Sequence, residues 1–91
     1  MTVKDKEKPS FDQKPESSEK RFLILHNDEV NTFDHVIETL VDVCEHDEYQ
    51  AEQCALITHF NGKCDVKKGE LDYLKMLKEA LHEKGLSASI D

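Results

Sequence analysis

Phe22-Leu23-Ile24-Leu25 is a run of four apolar residues that stops abruptly on His26-Asn27-Asp28-Glu29, just ahead of a helical pattern opening at Phe33. A run without polar alternation predicts a short central strand buried on both faces, and the remaining elements have to assemble around it. Such a strand delivers Asn27, Asp28 and Glu29 to its own end. Asn31 or Thr32 can then cap the next helix by accepting from its free backbone N–H groups, and Asp34 adds negative charge to the first turn. The polar cluster has two readings. Asn and Asp tolerate turn conformations and satisfy their own backbone, so Asn27-Asp28-Glu29 is sufficient as a turn. It also concentrates a carboxylate and an amide at a strand end, where the pair can hold a small cationic group.

Downstream, Phe33, Val36, Ile37, Leu40, Val41 and Cys44 fall at the spacing of one buried helix face. Glu45-His46-Asp47-Glu48 interrupts the pattern, and Asp47 with Gln50 forms a capping box for a second helix. Ala51, Cys54, Ala55 and Thr58 mark the narrow face of that helix, and Asn61-Gly62 closes it. Lys63 to Lys68 alternates small or apolar with polar residues and reads as a short, exposed strand whose lysines suit an edge. The stretch Glu70 to Leu81 sets Leu71, Leu74, Leu77 and Leu81 on one helix face before Gly85 stops it, and Leu86 to Ile90 alternates as a final strand. The order is strand, helix, helix, strand, helix, strand.

Before this pattern, Met1 to Lys20 contains both prolines, five lysines and five acids, with little apolar bulk beyond Val3 and Phe11. Such a segment cannot offset its ordering entropy, so residues 1–20 are expected to be a disordered arm and residues 21–91 one small domain. No apolar stretch of roughly 7–15 residues follows the early basic residues, which argues against a signal peptide. No stretch is long enough to span a membrane. With three cysteines, Cys44, Cys54 and Cys64, the odd count points to reduced thiols and a cytoplasmic protein without disulfides. The arm is charge-balanced, so the net charge of −8 falls on the domain, as 7 Lys/Arg against 15 Asp/Glu. That sign repels nucleic acid and anionic lipid and favours a cationic ligand or a basic patch on a partner.

His59 is the residue best placed to complete a site with Asn27 and Asp28, because imidazole can donate to or accept from a ligand near neutral pH. A solvated helix-end histidine is the plainer alternative. Cys54 or Cys64 with His59 and Asp28 are also the residue types of a thiol hydrolase, but no nucleophile motif surrounds either cysteine and a domain this small has little room for a cleft. A zinc site from Cys54, His59 and Cys64 with His26 or His46 fits none of the usual ligand spacings, so no metal and no cofactor are expected. The cysteines read as small core residues.

Taken together, Leu25-His26-Asn27-Asp28-Glu29 resembles the Leu-x-Asn-Asp-Asp segment of the ClpS family, adaptors for Clp-type AAA+ proteases. Thr58-His59-Phe60-Asn61-Gly62-Lys63 resembles that family's His-(Tyr/Phe)-x-Gly-Lys segment. The resemblance covers Arg21 to Ile90. It implies a small α/β (α+β) sandwich: a three-stranded sheet with three helices packed on one face, ordered β-α-α-β-α-β behind a disordered N-terminal arm. It further implies a monomeric, non-enzymatic adaptor that captures the free N-terminal residue of a substrate, with Leu, Phe, Tyr and Trp expected, and delivers it to the N-terminal domain of a Clp ATPase.

Carried over by position, Asp28 takes the α-ammonium, Asn27 the first peptide group, and His59 helps hold the amine. Glu29, Asn31, Phe33, Val36, Ala55 and Thr58 wall the pocket. Glu29, Phe33 and Ala55 differ from the Asp and the two Met residues common at these positions, which reshapes the pocket for the first side chain. Glu70 and Lys75 match an acidic and a basic position used for docking on the ATPase, where an ordinary solvated helix face is the competing reading. The alternative function is a domain of this fold that modulates a Clp ATPase without reading N-termini.

Overall fold

The computed structural model describes residues 19–91, so the arm expected over residues 1–20 lies outside the described residues except for Glu19 and Lys20. The elements are β1 (Arg21–His26), α1 (Phe33–Cys44), α2 (Glu48–Asn61), β2 (Lys63–Gly69), α3 (Leu71–Glu83) and β3 (Ser87–Ile90). Their order is the one the periodicities predict. β1 is the central strand of an antiparallel sheet ordered β2-β1-β3. The expected edge position of the lysine-bearing strand β2 is therefore observed. Leu23 faces Lys67 whereas Ile24 faces Asp65, which leaves Val66 as the extra residue of a β-bulge.

β1 is not buried on both faces as its apolar run suggests. Leu23 and Leu25 are fully enclosed, but Phe22 is 38% exposed and Ile24 is only partly covered. The reason lies in the layers: the sheet residues buried beneath the helices are Leu23, Leu25, Cys64, Val66 and Ala88, which share one face. Leu40 and Cys44 of α1, Ala51 and Cys54 of α2, and Leu74, Leu77 and Leu81 of α3 close over that face. A two-layer sandwich leaves the reverse side of even its central strand toward water.

The helix ends follow from local chemistry. Thr32 caps α1, its hydroxyl accepting from the His35 N–H at 3.1 Å. Asp47 caps α2 by accepting from the Gln50 N–H at 2.7 Å. Gly62 closes α2 at φ 95°, a left-handed conformation that costs glycine little, and its N–H donates to the Thr58 carbonyl. Between α1 and α2 the chain is pinned to β2. The buried His46 donates from Nε2 to the Val66 carbonyl at 2.6 Å, and Lys67 Nζ donates to the Cys44 carbonyl at 2.9 Å.

Candidate functional site

The polar residues that end β1 meet the end of α2 through the backbone. Past the last ladder pair, His26 with Lys63, the Asn27 N–H donates to the Gly62 carbonyl at 2.9 Å. His59 lies one turn back from Gly62 on α2, so closing that helix on a left-handed glycine brings the imidazole to the strand end. Asn27, Asp28 and His59, some thirty positions apart in sequence, line one pocket.

Asp28 is held rigidly. Its Oδ1 accepts from the Val30 N–H at 2.9 Å and the Asn31 N–H at 3.0 Å, and its Oδ2 accepts from Asn31 Nδ2 at 2.9 Å. This is the turn that Asn27-Asp28-Glu29 would form on its own chemistry, whether or not it binds a ligand. It does not exhaust the carboxylate, because an ionised carboxylate offers about four acceptor positions. Burial pushes the Asp28 carboxyl up, but the N–H groups of Asn31 and Val30, the Asn31 amide and the nearby His35 outweigh it. Together they hold the carboxyl below the ordinary aspartate value, so the site carries a fixed negative charge at neutral pH. Asn31 Nδ2 also donates to the Gly85 carbonyl at 2.9 Å, and His35 Nε2 donates to the Lys84 carbonyl at 2.7 Å. The turn after α3 thereby braces the turn after β1.

The apolar side of the pocket comes from Phe33 and Val36 of α1 and Ala55 of α2, with Thr58 at its edge. Thr58 donates its hydroxyl to the Cys54 carbonyl at 2.8 Å and is satisfied within its own helix. Phe33 packs on His59 with ring centroids 5.2 Å apart and a 56° tilt, while Phe60 meets the same imidazole edge-on at 4.8 Å. His59 is thus oriented by two aromatic rings. The hollow these residues enclose measures about 50 Å³.

Of the wall residues expected from sequence, Asn31, Phe33, Val36, Ala55 and Thr58 line the pocket and Glu29 does not. Glu29 is exposed in the turn that Asp28 organises. Leu25, His26 and Leu86 line it without having been expected there. Leu25 and Leu86 read as core residues, and only the pairing of β1 with β3 shows that the floor of the site is the edge of the core. Glu70 and Lys75 lie elsewhere, both exposed, with Glu70 as the N-cap of α3 and its side chain making no capping bond.

The three thiols sit in the core rather than in the pocket. Burial, followed by the neighbouring Cys54 and Asp65, pushes the Cys64 thiol up to about 12, and burial pushes Cys44 up to about 11. Thiols so perturbed stay protonated at neutral pH and are poor nucleophiles. Among the described residues no group of three or more His, Cys, Asp or Glu side chains is arranged to hold a metal ion, and no helix is long and apolar enough to cross a membrane.

Residues 16–89 match the model of the family described as ATP-dependent Clp protease adaptor protein ClpS. The chain belongs to the ClpS family. ClpS proteins are adaptors of the Clp protease system and not a catalytic family, consistent with the protonated thiols. The ClpS fold is seen directly in Agrobacterium tumefaciens ClpS2 bound to L-phenylalaninamide, which superimposes with a TM-score of 0.74 at 21% identity, over 82% of this chain and 96% of that one. No curated protein gives a significant sequence match.

Proposed function

We propose that this ClpS-family adaptor binds the free N-terminal residue of its substrates at Asn27, Asp28 and His59 and delivers them to a Clp-type AAA+ protease in the cytoplasm. The observation that carries the reading is the single pocket in which a fixed carboxylate, an amide and an imidazole stand beside an apolar hollow. An α-ammonium offers three N–H donors and a positive charge. Asp28 supplies the countercharge, a ring nitrogen of His59 accepts a hydrogen bond from a second N–H, and the Asn27 side chain engages the first peptide group. An acetylated terminus or an internal peptide lacks both charge and donors, so the same groups reject it.

The first side chain enters between Phe33, Val36 and Ala55, which favours Leu, Phe, Tyr and Trp as first residue. The L-phenylalaninamide bound by the Agrobacterium protein has the same two parts, a free α-amino group and an apolar side chain. Docking on the N-terminal domain of the ATPase is assigned to Glu70 and Lys75 on the exposed start of α3, with residues 21–91 acting as a monomeric adaptor domain and residues 1–20 serving delivery. Titration with peptides that differ only in their first residue, each with free and acetylated termini, tests the reading. Binding of free Leu and Phe termini with loss on acetylation is the expected result. Indifference to the first residue would leave a partner-docking domain instead.

A further inference from the structure

A second concavity lies along the outer seam between α1 and α2. One stretch of about 430 Å³ is lined by Asp34, Ile37, Glu38, Glu48, Tyr49 and Glu52. It continues into a stretch of about 290 Å³ that adds Val41 and Asp42. The two share Ile37, Glu38 and Glu48, and form one groove. Its floor is apolar: Ile37 and Val41, one turn apart on α1, are only partly buried, and Tyr49 of α2 is 71% exposed.

Its rims are acidic in register. Asp34, Glu38 and Asp42 recur every four residues along α1, and Glu48 and Glu52 do so on α2. Like charges at this spacing destabilise the helices that carry them. Among the described residues nothing offsets them locally, because neither stretch is lined by a lysine or arginine and the sequence has none from Phe22 to Gly62. The basic residues of the domain fall on Arg21 and from Lys63 onward.

We propose that this groove docks a basic amphipathic segment of a partner protein, aliphatic side chains on the Ile37–Val41–Tyr49 floor and lysines or arginines against the two rims. Charge complementarity selects the occupant. Phosphate backbones and anionic lipid carry the wrong sign. A metal ion is a poor fit, since no three carboxylates are arranged to share one among the described residues. A second copy is a poorer fit, since on its basic edge strand Lys67 is engaged with the Cys44 carbonyl and Lys68 lies over the Phe22 ring at 5.6 Å, which leaves Lys63 alone on that strand. The groove is separate from the N-terminal-residue pocket although the same helices contribute to both: the two share no lining residue.

The test uses an N-acetylated, C-amidated helical peptide of about 14 residues, about four turns, with Leu on one face and Lys on the flanks. Acetylation keeps it out of the pocket that reads free termini. In ¹⁵N-labelled full-length protein, saturable shifts are expected at Ile37, Val41 and Tyr49, weakening as salt rises from about 50 to about 300 mM. The double variant E38K/E52K changes two exposed side chains, and should lose at least about tenfold in affinity for this peptide while keeping its affinity for a free N-terminal Leu peptide. The neutral E38Q/E52Q variant should fall between. Four results would overturn the proposal: no saturable shift at those residues, unchanged affinity in E38K/E52K, equal binding of a peptide with every Leu replaced by Ser, or a concentration-dependent dimer in sedimentation that occupies the groove. Loss of the free-terminus peptide alone would bear on the pocket and not on the groove.

Discussion

Replacing Asp28 with Asn exchanges one carboxylate oxygen for an amide nitrogen and leaves the side chain its length and shape. The retained oxygen can still accept from the Val30 and Asn31 N–H groups, so the turn that positions the residue survives. What changes is the other oxygen, which accepts from Asn31 Nδ2 at 2.9 Å. An amide there sets donor against donor, and the Asn31 side chain has to give up one bond. Losing one such hydrogen bond costs roughly 0.5–1.5 kcal/mol of stability. The binding penalty is larger. A bound α-ammonium would lose its only countercharge among the pocket residues, and truncating one partner of a desolvated charge pair costs about 2–5 kcal/mol. Because Asp28 is partly exposed, the lower part of that range applies, on the order of 2–3 kcal/mol or about 30- to 150-fold in Kd.

Fluorescence anisotropy with a labelled peptide beginning with Leu reads the affinity, and urea unfolding of the same samples reads the stability. A Kd within about threefold of wild type in a folded D28N protein would refute the assignment of the ammonium to Asp28. The acid dependence is a separate check. The folded Asp28 carboxyl titrates below its ordinary value of 3.8, so the stability it contributes is complete above that value and disappears as pH falls through the folded one. The stability gap between wild type and D28N should therefore be constant near neutral pH and close only below about pH 4.

His59 offers a ring nitrogen beside Asp28, so His59→Ala should weaken binding of a peptide with a free N-terminal Leu by roughly the 0.5–1.5 kcal/mol of one hydrogen bond, read by anisotropy, and unchanged affinity would make the histidine structural. Phe33 and His59 enclose a hollow of about 50 Å³, smaller than the roughly 150 Å³ that holds a benzene ring. Phe33→Ala should therefore improve binding of N-terminal Trp and Tyr relative to Leu, measured as a ratio of Kd values, and an unchanged ratio would place the side chain elsewhere. Leu74 is fully buried under the sheet; Leu74→Ala should cost about 2–5 kcal/mol in urea unfolding, and a loss under about 1 kcal/mol would contradict the packing. Deleting residues 1–16 should leave peptide affinity unchanged and reduce degradation of an N-terminal Leu reporter by the assembled protease, with undiminished turnover counting against a delivery role.

What could be read from the chain in advance is what short-range chemistry decides. Thr32 and Asp47 cap the two helices they precede, Gly62 ends α2, and the small face Ala51, Cys54, Ala55 and Thr58 is the face that α2 buries. The lysines of β2 mark the edge of the sheet. Four apolar residues in a row were a poorer guide, because Phe22-Leu23-Ile24-Leu25 carries no sign of how many layers will cover it. With helices on one side only, Phe22 and Ile24 keep part of their surface in water.

The site divides along the same line. Asn27, Asp28 and His59 could be nominated from residue type and motif, and the Asn27–Gly62 backbone bond explains how they come together. Glu29 was nominated from its place in the motif, where an Asp is common, and the turn that Asp28 organises carries it out to solvent. Asn31 has the most to teach. From sequence it was either a helix cap or a piece of pocket wall, yet the cap is Thr32, and the Asn31 amide bridges Asp28 to the Gly85 carbonyl. That bond spans 54 positions, and its acceptor is a backbone carbonyl that any residue type could supply. A side chain that positions a charge through a distant main-chain oxygen leaves no pattern of spacing or composition. The brace between the turns after β1 and α3, on which the orientation of the fixed charge depends, becomes visible only when the chain is folded.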